Sequence, residues 1–219
     1  MEILEEKYFS GVMKHAAEIF PTLVKLLKKL DLSVSDIKNI FVAAGPGSFT
    51  GLRIGVTMAK MMALAADVRI ASASTLDIVA RNAIDHIEQN QLEITKIATI
   101  IDAKRQQFFV ATYKKEGSTW IKELDDRMMS VGDFLENCYA TTSDPIYLLG
   151  EGLKYYQKRF ETDAVAFFEE SLWASQAKNV YKLCYKKALD GEFEDVNLFE
   201  PKYLRLCDAQ ENLNRKSNG

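Results

Sequence analysis

Residues 43–60, AAGPGSFTGLRIGVTMAK, decide how the rest of the chain is read. A short apolar run at 40–43 (IFVA) leads into glycine-rich residues 45–51, and these lead into an apolar helix of about four turns over 52–66. Strand, glycine loop and helix in that order aim backbone N–H groups and a helix dipole at the space before the helix. Gly45 precedes Pro46, which holds it away from helical backbone. Gly47 permits a tight turn, and Gly51 is expected to let the helix begin close to the strand. Two phosphate-binding patterns fail here. The Walker pattern needs Lys and then Ser or Thr after its last glycine, where Leu52 and Arg53 stand, and the dinucleotide fingerprint needs glycine where Thr50 sits. Gly45, Pro46, Gly47, Ser48, Thr50, Gly51 and Arg53 thus fit an anion-binding loop and a purely structural turn equally well.

The helix after the loop carries a second signal. Its polar residues Arg53, Thr57 and Lys60 form one narrow stripe, while Ile54, Val56, Met58, Met61, Met62 and Leu64 occupy the remainder, with Gly55, Ala59 and Ala63 as a row of small residues. A surface helix needs one apolar face, so this one is expected to be covered on two sides. Its own sheet supplies one cover. A helix of another subunit supplies the other in the reading preferred here, because small residues permit close approach and methionines adapt to a partner. Burial between two layers of one domain is the alternative.

Outward from that segment, strands and helices alternate. A strand is expected at 2–9 and a helix at 13–30, with Ala16, Phe20, Leu23, Leu27 and Leu30 on one side and Pro21 kinking it or opening a second segment. After a strand at 69–73, Ser74 with Asp77 caps a helix running to His86. Strands at 97–102, 107–113 and 119–124 make an antiparallel group, turning at 103–106 and 116–118. A helix at 131–137, a strand at 146–149, helices at 153–160 and 174–189, and a frayed polar tail from 208 to 219 complete the pattern. This is α/β architecture, read as two related lobes at 1–95 and 96–207.

The formal net charge of −3 argues against autonomous binding to nucleic acid, which draws most of its affinity from phosphate neutralisation. The three cysteines, Cys138, Cys184 and Cys207, are scattered and odd in number, and no apolar run has the length of a membrane span. A cytoplasmic location without membrane contact is the expectation. The two histidines, His15 and His86, lie on separate helices without metal-ligand spacing, so no catalytic group and no metal site is assigned. Asp102 is expected to bond backbone N–H groups of its own turn, Lys104 and Arg105 to be solvated, and Arg205 to hold the end of the chain on the body by pairing with a carboxylate.

GPGSFTGLRIG (45–55) followed by an alanine- and methionine-rich helix resembles the signature of the TsaB/YeaZ family. Weaker family-like features follow in order: His15, Glu18 and Pro21; Ser74-Thr75-Leu76; Asp102-Ala103-Lys104-Arg105 with Phe109; Gly150-Glu151-Gly152; and Pro201-Lys202-Tyr203-Leu204-Arg205. The resemblance implies an actin-like (ASKHA, ribonuclease H-like) fold of two lobes with the N-terminal lobe incomplete. It further implies a non-catalytic subunit that forms a heterodimer with a TsaD-like transferase, the enzyme that places threonylcarbamoyl on adenosine 37 of tRNA. A TsaE-like ATPase joins the assembly, and tRNA is met through the complex. ATP and threonylcarbamoyl-AMP are used by that complex, while this chain requires no cofactor. Docking is expected through His15, Ile19 and Leu26 of the first helix and Ile54, Gly55, Met58, Ala59, Met62 and Ala63 of the second. Two other readings stay open: an M22-type peptidase or actin-like ATPase, and a homodimer using the same apolar helix. Family members usually open with two further strands carrying an Asp-Thr-Ser-like phosphate loop. This chain begins at what reads as the third strand, which would leave 40–43 with an unpaired edge; either the sequence is truncated, another chain fills the gap or the sheet is rearranged, and nucleotide binding at that loop is not expected.

Overall fold

A β-α-β unit built on the glycine segment organises the first part of the computed structural model, which describes residues 3–8, 15–139 and 144–205. Strand β1 (Asn39–Gly45) pairs in parallel with β2 (Arg69–Ser74), matching Ile40 to Ile70 and Phe41 to Ala71, and α2 (Phe49–Ala66) makes the crossover. Alternation sorts the side chains of β1 between two layers. Ile40, Val42 and Ala44 meet Val56 and Ala59 of α2, whereas Phe41 and Ala43 meet Cys184 on the other face.

The second sheet has five strands in the order β5-β4-β3-β6-β7. Strands β3 (Lys96–Asp102), β4 (Gln107–Glu116) and β5 (Thr119–Ser130) form an antiparallel meander, and β6 (Ile146–Leu149) and β7 (Val165–Phe167) add in parallel beyond β3. The meander is longer than the sequence suggests, because β5 runs past Leu124 through register shifts opposite Val110 and Thr112.

Helix α3 (Thr75–Asn90) is the spine between the sheets. Ser74 caps it by accepting from the Leu76 N–H at 3.2 Å. Leu76, Val79, Ala80, Ala83 and Ile87 pack into the core of the five-stranded sheet, while Ile78 packs with Ala71 and Ala73 of β2. Helix α6 (Ala177–Leu189) also returns to the first sheet, through Cys184 and the buried Asn179, which donates to the Asn82 side chain of α3 at 2.7 Å. The segment 177–199, assigned by sequence to a second lobe, thus completes the core of the first. Chain order alone does not carry that information.

Helix α1 (His15–Lys29) runs unbroken through Pro21 and packs along α2. It closes with Asp31 in the left-handed region and the Leu32 N–H bonded to Leu27 O at 2.9 Å, a cap that gathers its last carbonyls. The strand expected at 2–9 does not form over 3–8, where Ile3 and Leu4 are adjacent rather than alternating and offer no face to bury. The tail from 208 to 219 and the positions of Cys138 and Cys207 lie outside what the structure describes in side-chain detail.

Candidate functional site

Two surfaces gather the residues singled out by sequence: the mouth of the glycine loop and the face made by α1 and α2. At the first, Ser48 rather than a glycine opens α2. Its Oγ accepts from the Gly51 N–H at 3.3 Å and its carbonyl from the Leu52 N–H at 2.9 Å. The helix therefore starts inside the glycine run, and a Cβ at Gly51 would meet nothing closer than Ser48 at 3.5 Å, so Gly51 is not what brings helix and strand together. Gly45 is needed for a different reason. It has φ +115°, and a Cβ there would lie 2.7 Å from the carbonyl oxygen of Lys202, whose own N–H donates to Ala44 O at 2.7 Å.

Lys202 belongs to a segment, residues 194–205, that crosses α2 and enters a cleft of about 710 Å³ between the loop and the β3–β4 turn. Pro46, Ser48, Phe49, Asp102, Lys104 and Tyr203 are among its walls. Tyr203 stacks on Phe49 with ring centroids 4.5 Å apart, and its hydroxyl accepts from Arg53 Nε at 3.1 Å. Arg53 also lies 4.0 Å over the Phe49 ring. Lys60 donates to Phe199 O at 3.0 Å, so the polar stripe of α2 holds the chain's own C-terminal segment.

The charges around the cleft are matched within the chain. Asp102 accepts from the Lys104 N–H at 2.8 Å, as expected for its turn, and also from Lys104 Nζ and the Tyr156 hydroxyl. Burial alone would raise the Asp102 carboxyl, but these hydrogen bonds outweigh it and hold the group below its ordinary range. Burial and the same carboxylate push the Tyr156 phenol up to about 12. Lys104, Arg105 and Gln106 all take left-handed backbone, with φ of 64°, 52° and 62°. Lys154 pairs with Glu151 at 3.4 Å and Glu170 at 3.5 Å. Arg205 donates to the carbonyl of Ala103 and so ties the end of the described chain to the β3–β4 turn.

Deeper, Asp126 of β5 has no exposed side-chain surface and joins Lys122, Lys202 at 2.8 Å and the Ser74 hydroxyl at 2.7 Å. Desolvation raises its carboxyl, but those donors more than offset it, and the net shift is downward. Asp77, one turn into α3, accepts from Lys122 at 2.6 Å and from the buried Tyr113 hydroxyl at 2.7 Å. No sequence spacing links Ser74, Asp77, Tyr113, Lys122, Asp126 and Lys202. The one available signal is an acidic pair, Asp125-Asp126, just past the strand expected at 119–124.

On the second surface the small-residue row of α2 does not face outward. Gly55 points at Val42, 3.6 Å from where a Cβ would stand; Ala59 is 1% exposed against Ala44 and Ile70; and Ala63 packs on the same cluster. The row brings α2 close to its own sheet, and Phe199 and Val196 cover another part of the helix. Met62, 5% exposed, is likewise internal. Of the expected docking residues, Ile19, Leu26, Ile54 and Met58 stay partly accessible, and the side chain of His15 lies outside the described set. The exposed apolar flank is made by residues the sequence did not select: Phe20 and Val24 on α1, Met61 and Leu64 on α2, the last two 57% and 68% exposed. His86, where the sequence places the end of the helix, stands edge-on to Phe168 one turn before α3 ends.

A sequence model described as "TsaD: tRNA N6-adenosine threonylcarbamoyltransferase" matches residues 3–213. The chain belongs to this family. Within it, similarity runs to TsaB and YeaZ proteins. The tRNA threonylcarbamoyladenosine biosynthesis protein TsaB of Bacillus subtilis (strain 168) is 29% identical over 196 residues, 90% of this chain and 82% of that one. Its Escherichia coli (strain K12) counterpart is 24% identical over 193 residues, 88% and 81% of the two chains. Among solved structures, YeaZ from Pseudomonas aeruginosa superimposes with a TM-score of 0.71 at 22% identity, covering 89% of this chain and 87% of that one. A structure described as an uncharacterized protein with similarity to peptidase YEAZ from Pseudomonas aeruginosa gives 0.69 at 21%, covering 87% and 84%. The α/β architecture is thus that of the family's actin-like fold. Among the described residues, no helix is long and apolar enough to cross a membrane.

Proposed function

We propose that the chain is an accessory subunit of tRNA N6-threonylcarbamoyladenosine synthesis, which binds and activates a TsaD-like transferase and transfers no group itself. The observation that carries this reading is the apolar surface of α1 and α2, where Phe20, Val24, Met61 and Leu64 remain in solvent while the opposite side of α2 is packed on its own sheet. Relatives named for this biosynthesis support the pathway. The titratable groups of the cleft support the accessory role: Asp102 and Lys104, Lys154 with Glu151 and Glu170, and Asp126 and Lys202 are each committed to partners within the chain. ATP and threonylcarbamoyl-AMP are then used by the complex, a TsaE-like ATPase joins it, and tRNA is met through the assembly in the cytoplasm, in keeping with a chain of net charge −3.

The test is reconstitution. The chain mixed with a TsaD-like subunit, a TsaE-like ATPase, threonylcarbamoyl-AMP and unmodified tRNA restores modification that the transferase alone lacks. Leu64→Glu abolishes co-purification with the transferase, whereas Leu189→Glu, at a side chain 70% exposed on α6, which packs on the face of β1 opposite α2, does not. Retention of the complex by Leu64→Glu together with Met61→Glu would move the interface elsewhere. Proteolysis or ATP turnover by the purified chain alone would replace the accessory reading with an enzymatic one, and loss of a homodimer in Leu64→Glu would assign the flank to self-association.

A further inference from the structure

We propose that residues 200–205 form a releasable latch that sets the width of the cleft between the two sheets. The halves share α3 along one side, where Leu76 and Val79 serve one core and Ile78 the other. Across the cleft, four consecutive residues tie the halves together by different means. The Lys202 N–H bonds Ala44 O at the end of β1, while its ammonium reaches Asp126 on β5 at 2.8 Å. Tyr203 stacks on Phe49 and accepts from Arg53, both of α2. Leu204 packs against the core of the five-stranded sheet, and Arg205 donates to Ala103 O in the β3–β4 turn. Each residue contacts one half or both, and the backbone runs between them.

The contrast in burial makes this a latch rather than core. Lys202 has half its side chain in solvent and Tyr203 is 39% exposed, while Asp126 beneath Lys202 has no exposed side-chain surface and the core residues Ile70 and Leu76 are sealed. Contacts of partly solvated groups are individually weak, so such a segment opens at a small fraction of the cost of global unfolding. The receiving groove is shaped for it: Gly45 leaves room for the Lys202 carbonyl, where any Cβ would intrude at 2.7 Å. Release would free the glycine loop, the start of α2 and the β3–β4 turn together, since all three are held by the same four residues.

Hydrogen–deuterium exchange on the full chain tests this. In Tyr203→Ala, amides of both 45–52 and 102–107 exchange about tenfold faster, the scale of one or two lost net hydrogen bonds, while 76–87 stays protected. Lys202→Met, which keeps the apolar stem and loses the ion pair, gives a smaller joint rise, and Tyr203→Phe, which keeps the stack, stays closer to the parent than Tyr203→Ala. Faster exchange in 45–52 with 102–107 unmoved would reduce the segment to a local cover of the loop. An equal rise in all three segments would make it an ordinary part of the folding core.

Discussion

The two sheets of this molecule end in the same way and begin differently. In the five-stranded sheet the parallel pair β6-β7 is backed by the β3-β4-β5 meander, and β3, the central strand of the sheet, is hydrogen-bonded on both edges. In the first sheet the parallel pair β1-β2 stands without such a meander among the described residues. The larger sheet is supported by a continuous core with Phe108, Phe134 and Phe160 packed edge to face, whereas the smaller one shares two small clusters with α2, α6 and residues 193–199. The difference teaches where stability resides. One half is held by strand pairing and aromatic packing, the other by helices and by a segment arriving from the far end of the chain.

The sharpest way to break that contrast is at Gly150. With φ +122° and a would-be Cβ only 2.3 Å from Ile100 O, Gly150→Ala forces β6 off β3 and is expected to cost on the order of 4 kcal/mol, read by thermal unfolding. A near-neutral result would mean that the turn yields without disturbing the sheet. Next comes a pair of deletions. Phe108→Ala, at a fully buried ring, should cost about 3–5 kcal/mol and lower the whole transition. Ile70→Ala should cost about 2–5 kcal/mol but loosen β1 and β2 in hydrogen exchange more than it shifts the transition seen by Trp173 fluorescence. Equal shifts in both readouts would show the two cores melting as one.

The link between the halves supplies a smaller effect. The Asp126 carboxyl titrates below its unfolded value, so its contribution is fully present above about pH 4 and is lost as pH falls through the depressed folded value. Asp126→Asn should therefore be less stable at neutral pH yet show a shallower loss of stability on acidification below about pH 4. A parallel acid profile would remove Asp126 from the linkage. The smallest effect is expected at Leu198→Ser, within about 0.5 kcal/mol in chemical denaturation, because that side chain touches neither core.

Most element types were legible because periodicity reports burial. The strands at 40–43, 69–73, 97–102, 107–113 and 146–149 and the helices at 52–66 and 131–137 lie within or close to the observed elements. Short elements were not. Strand β7, three residues long, carries too little alternation to register, and α5 (Leu153–Tyr156) passes into a 3-10 turn within the single helix expected at 153–160. At the candidate site the order of residues 43–60 was readable, but the direction of each face was not. Small residues license close approach without saying to what, and Gly55, Ala59 and Ala63 took the chain's own sheet as neighbour.

The sequence by itself determined the alternation of strands and helices, the glycine turn into α2 and the family, because local backbone preference and residue pattern act over a few consecutive positions. Only the tertiary structure decided that residues 194–205 come back over α2, that Lys202 meets Asp126 across 76 positions, and that Met61 and Leu64 rather than Ala59 and Met62 face solvent. Those outcomes depend on which surfaces compete successfully for burial once the chain is folded, a competition among distant segments that no local pattern records.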